Sequence, residues 1–349
     1  MNPLFKIFLI TLIVINPLSS CSKDDAPDGT NNTVNGSTNS TTLSQQISTD
    51  LSGYKIAFGD TEKIYMMNPD GSNVEELANA SPISGYVSWS QDAIYVYYAS
   101  AKGPSETSWE AWRVNVQTKI ATKLTNFGLD VRCLGVSPDG NTLAISVMTG
   151  NSNIGNNNDN LTQFSANLYT VAMNTVESKI TAGNQIEMSD LTAIQSSSNT
   201  DQFWYEELSW NHDANNPVLA YTKTWRYDED DVSHTHAYTI KADGSNNTLL
   251  SENKDQPIWS IDNSKISFLG LEYYDFSDTT IKQISITGIN NEVSGASFSP
   301  NGGNYMVFEI GDENRKGGIA KTTKNSNTGE QLNTAVNIYE PRWSPVPVN

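Results

Sequence analysis

Six short segments of this chain each end on a bulky apolar residue that is followed by a polar turn. The bulky residues are Trp89, Val136, Trp210, Trp259, Phe298 and Trp343. The turn is clearest at residues 137–140 (SPDG) and 299–302 (SPNG). There proline presets φ, Asp or Asn suits the next position, and glycine accepts a positive φ. Because the motif recurs along the chain, we expect a fold built by stacking copies of one unit.

Each unit contains four short strands. An apolar second strand follows the turn, as at residues 143–147 and 305–310, and a third strand leads into an Asp-Gly-Ser turn, as at 64–72 and 237–245. A short fourth strand precedes the next unit. Six such units predict an all-β fold, a six-bladed β-propeller with four-stranded antiparallel blades, over residues 51–349. At about 40 to 50 residues per blade, one domain accounts for nearly the whole chain.

The two ends of the repeat region are incomplete in complementary ways. The strand around Tyr54 has no upstream partner, whereas Trp343 has no strands after it. We therefore expect residues 338–343 to form the innermost strand of the first blade. This pairing would close the ring and cover both strand edges.

These motifs resemble the TolB-like propeller repeat. In that repeat a Trp-Ser-Pro-Asp-Gly turn precedes an Ile-Ala-Phe-like strand, and an Ile-Tyr strand with Asp-Gly follows. The resemblance covers roughly residues 49–349 and implies a fold rather than an activity. Periplasmic TolB carries an α/β domain ahead of its propeller. Here only a short polar tract precedes the first strand, so we expect the propeller without that domain.

The N-terminus has the features of a secretion signal. Lys6 precedes an apolar stretch at residues 7–18, which is too short for a membrane span and ends at small residues. Residues 18–21 (LSSC) match the bacterial lipobox, in which the cysteine is acylated and the preceding peptide removed. We predict a signal peptide over residues 1–20 and a stable lipid anchor on Cys21. The alternative is an ordinary signal peptide with an incidental cysteine.

The residues after Cys21 indicate the cellular location of the protein and a tether to its anchor. Ser22 favours the outer membrane, and residues 22–25 (SKDD) resemble an acidic signal for export to the cell surface. Display at the surface and retention in the periplasmic leaflet both stay open. Residues 21–50 contain few apolar side chains, so we predict a disordered tether there.

The net charge limits the classes of partner, and the cysteine count limits disulfide pairing. The formal net charge of −18 disfavours nucleic acid, because binding phosphates depends on Lys and Arg. The acidity serves solubility or recruits cations and cationic partners. Once Cys21 is lipidated, Cys133 has no cysteine to pair with. We expect Cys133 to be a small buried apolar side chain.

Strand reversal sorts the loops onto two faces. Loops between second and third strands, and loops joining blades, emerge on one side, which we call the loop-rich face. The Ser-Pro-Asp-Gly and Asp-Gly-Ser turns lie on the opposite side, the tight-turn face. Because loops carry function more often than the scaffold beneath them, we expect the interaction site on the loop-rich face.

The fourth blade supplies the candidate site. Two of its stretches, at residues 203–207 and 224–231, combine aromatic rings with carboxylates and an arginine. Such a combination suits a sugar or peptide ligand. The alternative is that these rings pack between blades. The predicted ligand-binding residues are Trp204, Tyr205, Glu206, Trp225, Arg226, Tyr227 and Asp228.

Two metal hypotheses are weaker, and we predict neither a metal nor a cofactor. The acidic run 228–231 offers oxygen ligands for Ca²⁺ but lacks the spacing and glycine of a calcium loop, so we expect a solvated hairpin tip. His234 and His236 are two apart on a strand and point to one side. His212, however, belongs to a turn on the opposite face.

Two classes of function remain. The first is a non-catalytic binding scaffold, a lipoprotein that presents its loop-rich face to an envelope protein or a glycan. The second is a glycan lyase or hydrolase, with Glu206, Glu207 or Asp228 as acid or base and His234 as a metal ligand. The sequence contains no Gly-x-Ser-x-Gly elbow and no phosphate-binding loop. We predict no catalytic residue and favour the scaffold.

Overall fold

The architecture is a ring of six four-stranded antiparallel sheets. The computed structural model describes residues 42–80, 83–101, 108–153, 162–196, 202–226, 233–286, 292–311, 316–322, 329–332 and 336–348. The predicted signal peptide, Cys21 and the tether as far as residue 41 lie outside the described residues. None of the helices in the described part of the chain is long and apolar enough to cross a membrane.

The elements follow one another blade by blade. A helix, α1 (Leu43–Asp50), precedes β1 (Ile56–Gly59), β2 (Lys63–Met67) and β3 (Glu75–Asn79) of blade 1. Blade 2 consists of β4 (Ile83–Trp89), β5 (Tyr95–Ser100), β6 (Glu110–Asn115) and β7 (Ala121–Lys123). Blade 3 consists of β8 (Val131–Val136), β9 (Thr142–Asn153), β10 (Thr162–Ala172) and β11 (Thr192–Gln195), with α2 (Met173–Thr181) and a 3₁₀ turn (Met188–Asp190) between its last two strands. Blade 4 consists of β12 (Gln202–Trp210), β13 (Val218–Arg226), β14 (Ser233–Lys241) and β15 (Thr248–Glu252). Blade 5 consists of β16 (Ile258–Trp259), β17 (Lys265–Phe268), β18 (Glu272–Asp275) and β19 (Thr280–Gln283). Blade 6 consists of β20 (Glu292–Phe298), β21 (Tyr305–Gly311), β22 (Lys316–Lys321) and β23 (Gly329–Gln331), and β24 (Tyr339–Trp343) ends the series.

The last strand closes the ring, as the sequence predicts. β24 pairs antiparallel with β1, so that blade 1 has the order β24-β1-β2-β3. Trp343 lies opposite Ile56, and the Val348 amide donates to the Gly53 carbonyl at 2.8 Å. The innermost strands contact one another around the ring in the order β24, β4, β8, β12, β16, β20 and back to β24. Neither end of the ring therefore leaves an open strand edge at the junction.

The recurrent turn has a physical basis in its serine and acidic residues. The Ser260 hydroxyl donates to Asp262 Oδ1 at 2.7 Å, and the Ser299 hydroxyl donates to the amide oxygen of Asn301 at 2.6 Å. Such short side chains satisfy the turn locally. Donation from Ser137 and from the Asn141 amide outweighs partial burial and lowers the pKa of Asp139. The motif therefore stabilises the reversal between the first two strands.

The bulky residues that end the innermost strands tie neighbouring blades together. Three indole nitrogens donate to a backbone carbonyl of the preceding blade: Trp89 to Arg342 at 3.0 Å, Trp210 to Gly135 at 2.9 Å and Trp343 to Ser297 at 3.1 Å. Trp259 breaks this pattern. Its ring stacks on Phe276 at 5.2 Å and 2°, and its buried indole nitrogen has no hydrogen-bond partner within the described residues.

A helix corrects the predicted extent of the tether. Residues 43–50 form α1 instead of unfolded chain, and Thr42 caps it through a capping box with Gln45. Ile47 is fully buried in the core shared by blades 1 and 6. The Asp50 carboxylate accepts a 2.6 Å hydrogen bond from the Tyr305 hydroxyl. The few apolar residues of this segment suffice because the propeller supplies the rest of the core.

Cys133 lies in β8 and is almost fully buried at 2% exposure, as expected for a small apolar side chain. It is a free thiol. The cysteine is therefore a buried residue of the innermost strand of the third blade.

Candidate functional site

The two middle strands of blade 4 carry a stack of rings on one face. Their register places Tyr221 opposite Tyr238, and Trp225 opposite His234. Because side chains alternate along a strand, these pairs project to the same side of the sheet. Tyr221 and Leu219 pack into the core that faces blade 3. The outer rings of this face therefore continue from that core toward the loop-rich face.

The rings contact one another closely. The Trp225 ring stacks on His234 with centroids 5.5 Å apart and meets His236 edge-on at 4.5 Å. Tyr221 and Tyr238 stack at 5.6 Å. We call these five residues, Tyr221, Trp225, His234, His236 and Tyr238, the ring ladder. Trp225, His234 and His236 are half-buried, so the upper part of the ladder stays accessible to a ligand.

A cation adds polarity to the ladder. The Lys223 ammonium lies 5.5 Å from the centre of the Trp225 ring, within range of a cation–π interaction. Imidazole nitrogens supply hydrogen-bonding groups beside the apolar rings. Flat apolar surface combined with a few polar groups is the usual chemistry of a binding site.

The two histidines of the metal hypothesis lie beside Trp225. Both His234 and His236 contact Trp225, and Nδ1 of His236 lies 2.8 Å from the Thr235 carbonyl. Within the described residues, no group of three His, Cys, Asp or Glu side chains is arranged to hold a metal ion.

The other predicted site residues are placed only in part. Register puts Trp204 opposite Thr224 and Tyr205 opposite Lys223, in the same pair of strands as Trp225. Glu206 and Arg226 also lie in these strands. The side chains of Trp204, Tyr205, Glu206 and Arg226, and the whole of Tyr227, Asp228 and the run 228–231, lie outside the described residues. The joint site therefore stays a prediction, of which Trp225 is the residue seen in contact.

Glu207, one of the carboxylates considered as an acid or base, is buried. It is 8% exposed and has a φ of 58°, at a break in register between β12 and β13. Its Oε1 accepts a 2.6 Å hydrogen bond from the Tyr86 hydroxyl. Its Oε2 accepts hydrogen bonds from the Thr222 hydroxyl at 2.8 Å and from the backbone amide of Gln256 at 2.6 Å. Burial first, and then the neighbouring Asp255 carboxylate, raise the pKa of Glu207 well above its usual range.

The same position recurs in other blades and forms a polar belt around the channel. Three residues before the bulky residue, the backbone has positive φ in blades 4, 5, 6 and 1, at Glu207, Gln256, Gly295 and Glu340. The Gly295 amide donates to the Gln256 side chain at 3.0 Å. A Cβ on Gly295 would lie 2.9 Å from Glu340 Oε2, so only glycine fits there.

Arg342 and Glu340 complete the polar belt on the blade 1 side. The guanidinium donates to Glu340 Oε2 at 2.8 Å and to the Gly295 carbonyl at 3.3 Å. Burial raises the pKa of Glu340, the Arg342 charge lowers it, and Glu309 raises it further. The belt thus consists of Tyr86, Glu207, Gln256, Gly295, Glu340 and Arg342.

A cavity of about 70 Å³ opens below this belt, toward the tight-turn face. One tryptophan from each of four blades lines it: Trp89, Trp210, Trp259 and Trp343. His212 also lines it, with Nδ1 3.2 Å from the Gln91 side chain. Burial lowers the pKa of His212 to about 4. Sequence reasoning assigned no site to this face, although the recurrent tryptophans were a signal for the lining.

Comparisons with known proteins identify the fold. No family model and no curated protein match the chain. TolB from Acinetobacter baumannii superimposes with a TM-score of 0.60 at 17% identity, covering 84% of this chain and 67% of that one. A putative TolB from Agrobacterium tumefaciens gives 0.51 at 14% identity, covering 80% and 88%. Kuenenia stuttgartiensis hydrazine synthase gives 0.60 at 11% identity, covering 84% and 47%.

The six sheets and their closure by β24 define a six-bladed β-propeller. Within that class the propeller is TolB-like, which confirms the resemblance found in the turn motifs. At these identities the likeness is one of fold, and the activity has to be argued from the site.

Proposed function

We propose that this protein is a lipid-anchored binding scaffold of the cell envelope that engages a protein or glycan partner through its loop-rich face. The ring ladder of blade 4 is the observation that carries the proposal. It presents half-buried rings and an ammonium group at the end of the two long strands β13 and β14. Aromatic side chains give a large contact area at small entropic cost, and the polar groups orient the ligand.

Blade geometry supports a rigid platform for such a partner. The ladder continues a packed core below it, since Tyr221 is 1% exposed and stacks on Tyr238. A platform held in this way loses little conformational freedom when a ligand binds. Trp225 is therefore the ring on which we expect the partner to depend most.

Capture from solubilised envelope, run beside a glycan array, tests the binding proposal. Trp225→Ala is the test variant and Phe276→Ala the matched control, because Phe276 is an exposed ring, at 39%, on the tight-turn face. We expect Trp225→Ala to lose the ligand that wild type and Phe276→Ala retain. Protease treatment of the extract separates a protein partner from a glycan. Equal capture by all three proteins would contradict the proposal.

Anchoring is tested separately through Cys21. In cells that express the full chain, Cys21→Ser should move the protein from the membrane fraction to the soluble fraction and abolish incorporation of labelled fatty acid. Cys133→Ser is the control, since Cys133 is buried in the propeller. Membrane retention of the Cys21→Ser protein would contradict lipid anchoring.

A further inference from the structure

The cavity on the tight-turn face has walls that are held in place from outside. Residues of all six blades line it, so it lies at the centre of the ring. The indole nitrogens of Trp89, Trp210 and Trp343 donate to backbone carbonyls of the preceding blade, and the fourth ring, Trp259, stacks on Phe276. Because each ring is fixed by a neighbour, the walls lose little conformational freedom when a ligand enters. The cavity is therefore a preformed apolar site.

One polar pair, His212 and Gln91, lines this apolar cavity. Nδ1 of His212 lies 3.2 Å from the side-chain oxygen of Gln91. Because that oxygen can only accept, Nδ1 carries the proton and Nε2 is an acceptor. Burial lowers the pKa of His212 to about 4, so the ring is neutral at neutral pH. Within the part of the chain that the structure describes, neither Nε2 of His212 nor the amide nitrogen of Gln91 has a hydrogen-bond partner.

These two nitrogen atoms define the polar group of a ligand. A hydroxyl group can donate to Nε2 of His212 and accept from the amide nitrogen of Gln91. A flat ring suits walls made of indoles, because aromatic rings pack favourably in offset and edge-to-face arrangements. The volume of about 70 Å³ holds roughly five groups of the size of a water molecule. The cavity therefore has room for a single small ring.

The charges around the cavity favour a neutral ligand. Arg342 is the charged residue among those that line it, and its guanidinium pairs with the Glu340 carboxylate at 2.8 Å. An ion in such a place would lose its hydration without gaining a counter-charge. A neutral molecule avoids that cost.

We propose that the tryptophan-lined cavity is a second binding site, which takes a small neutral phenol with its ring between the indoles and its hydroxyl between His212 and Gln91. The bound hydroxyl donates a hydrogen bond to Nε2 of His212 and accepts one from the Gln91 amide. This site lies on the tight-turn face, apart from the ring ladder on blade 4, and so goes beyond the proposed envelope partner.

Nuclear magnetic resonance of the isotope-labelled full chain tests the site with phenol as the probe. Millimolar phenol should shift the indole N–H signals of the tryptophans that line the cavity: Trp89, Trp210, Trp259 and Trp343. Trp112 is the internal control, since its indole nitrogen donates to the Ser100 carbonyl at 3.3 Å and its signal should stay in place. Unchanged signals from the four cavity tryptophans would overturn the proposal.

Toluene and the variant His212→Phe test the hydrogen bonds. Toluene keeps the ring but lacks the hydroxyl, and it should bind wild type about five- to tenfold more weakly than phenol because it leaves two polar atoms unpaired. His212→Phe should weaken phenol by a similar factor and leave toluene unchanged. Asn215→Ala, which alters an exposed residue of the same turn, should bind both compounds as wild type does. Equal affinity of wild type for phenol and toluene would refute the proposed contacts, even if His212→Phe does not fold.

A tyrosine on a peptide presents the same phenolic group, so N-acetyltyrosinamide is titrated in parallel. A cavity with room for one ring leaves the peptide group outside, and this compound should bind several-fold more weakly than phenol. Binding as tight as that of phenol would assign the cavity to a peptide side chain and contradict a free small ligand.

Discussion

The Tyr86 hydroxyl donates a 2.6 Å hydrogen bond to Glu207 Oε1, and so links blade 2 directly to blade 4. The residues are 121 positions apart in sequence. Their strands belong to different sheets, so the contact depends on how blades 2, 3 and 4 are arranged around the channel. The polar belt is therefore a product of the whole fold.

Removal of the Tyr86 hydroxyl should destabilise the propeller. In Tyr86→Phe the buried Glu207 carboxyl loses a donor, which costs about 1–3 kcal/mol when the group stays buried. Chemical denaturation measures the free energy of unfolding. Tyr274→Phe, in blade 5 and away from the belt, serves as the control. Equal stability of Tyr86→Phe and wild type would show that the Tyr86–Glu207 hydrogen bond contributes nothing to the free energy of unfolding.

Two tryptophans that look equivalent in sequence should respond differently to Phe. Trp343→Phe removes the 3.1 Å bond to Ser297 at the closing junction and should cost about 1–3 kcal/mol. Trp259→Phe removes an indole nitrogen that has no partner among the described residues and should cost clearly less. Thermal melts measure the loss of stability in each variant. Equal losses for Trp343→Phe and Trp259→Phe would contradict the difference between the two indole contacts.

His212 should make the protein sensitive to mild acid. Burial lowers its pKa from 6.5 to about 4. Between pH 6.5 and pH 4, His212 therefore binds a proton in the unfolded chain but not in the folded protein. The contribution of His212 to the free energy of unfolding is therefore complete above pH 6.5. It falls by about 1–3 kcal/mol as the pH drops toward 4. Unfolding titrations at several pH values should show this slope in wild type and a flatter one in His212→Gln. Parallel curves for the two proteins would be evidence against the effect.

Helix α1 should stabilise the junction between blades 1 and 6. Ile47 is fully buried there, and Ile47→Ala should cost about 2–5 kcal/mol because it leaves a cavity. Thr49→Ala, on the exposed side of the same helix, is the control and should change little. A melting temperature for Ile47→Ala equal to that of wild type would mean that the helix does not support the ring.

The turn motifs predicted the fold well because each motif encodes its own local geometry. The Ser-Pro-Asp-Gly turns and the strands beside them needed only neighbouring residues to be recognised. The polar belt could not be predicted from the sequence, because it depends on bulges that turn Glu207 inward and on contacts between distant blades. Glu207 looked like its neighbour Glu206 in sequence, yet a φ of 58° buries it. Helix α1 was missed because part of the core that buries Ile47 comes from the opposite end of the chain.

Hydrogen–deuterium exchange of the propeller, with and without the ligand captured from the envelope, tests the proposed binding face most directly. We predict protection in β13 and β14 at the ring ladder, over residues 221–226 and 233–238. Protection confined to the turns at 137–140 and 299–302 would place the partner on the tight-turn face and contradict the account.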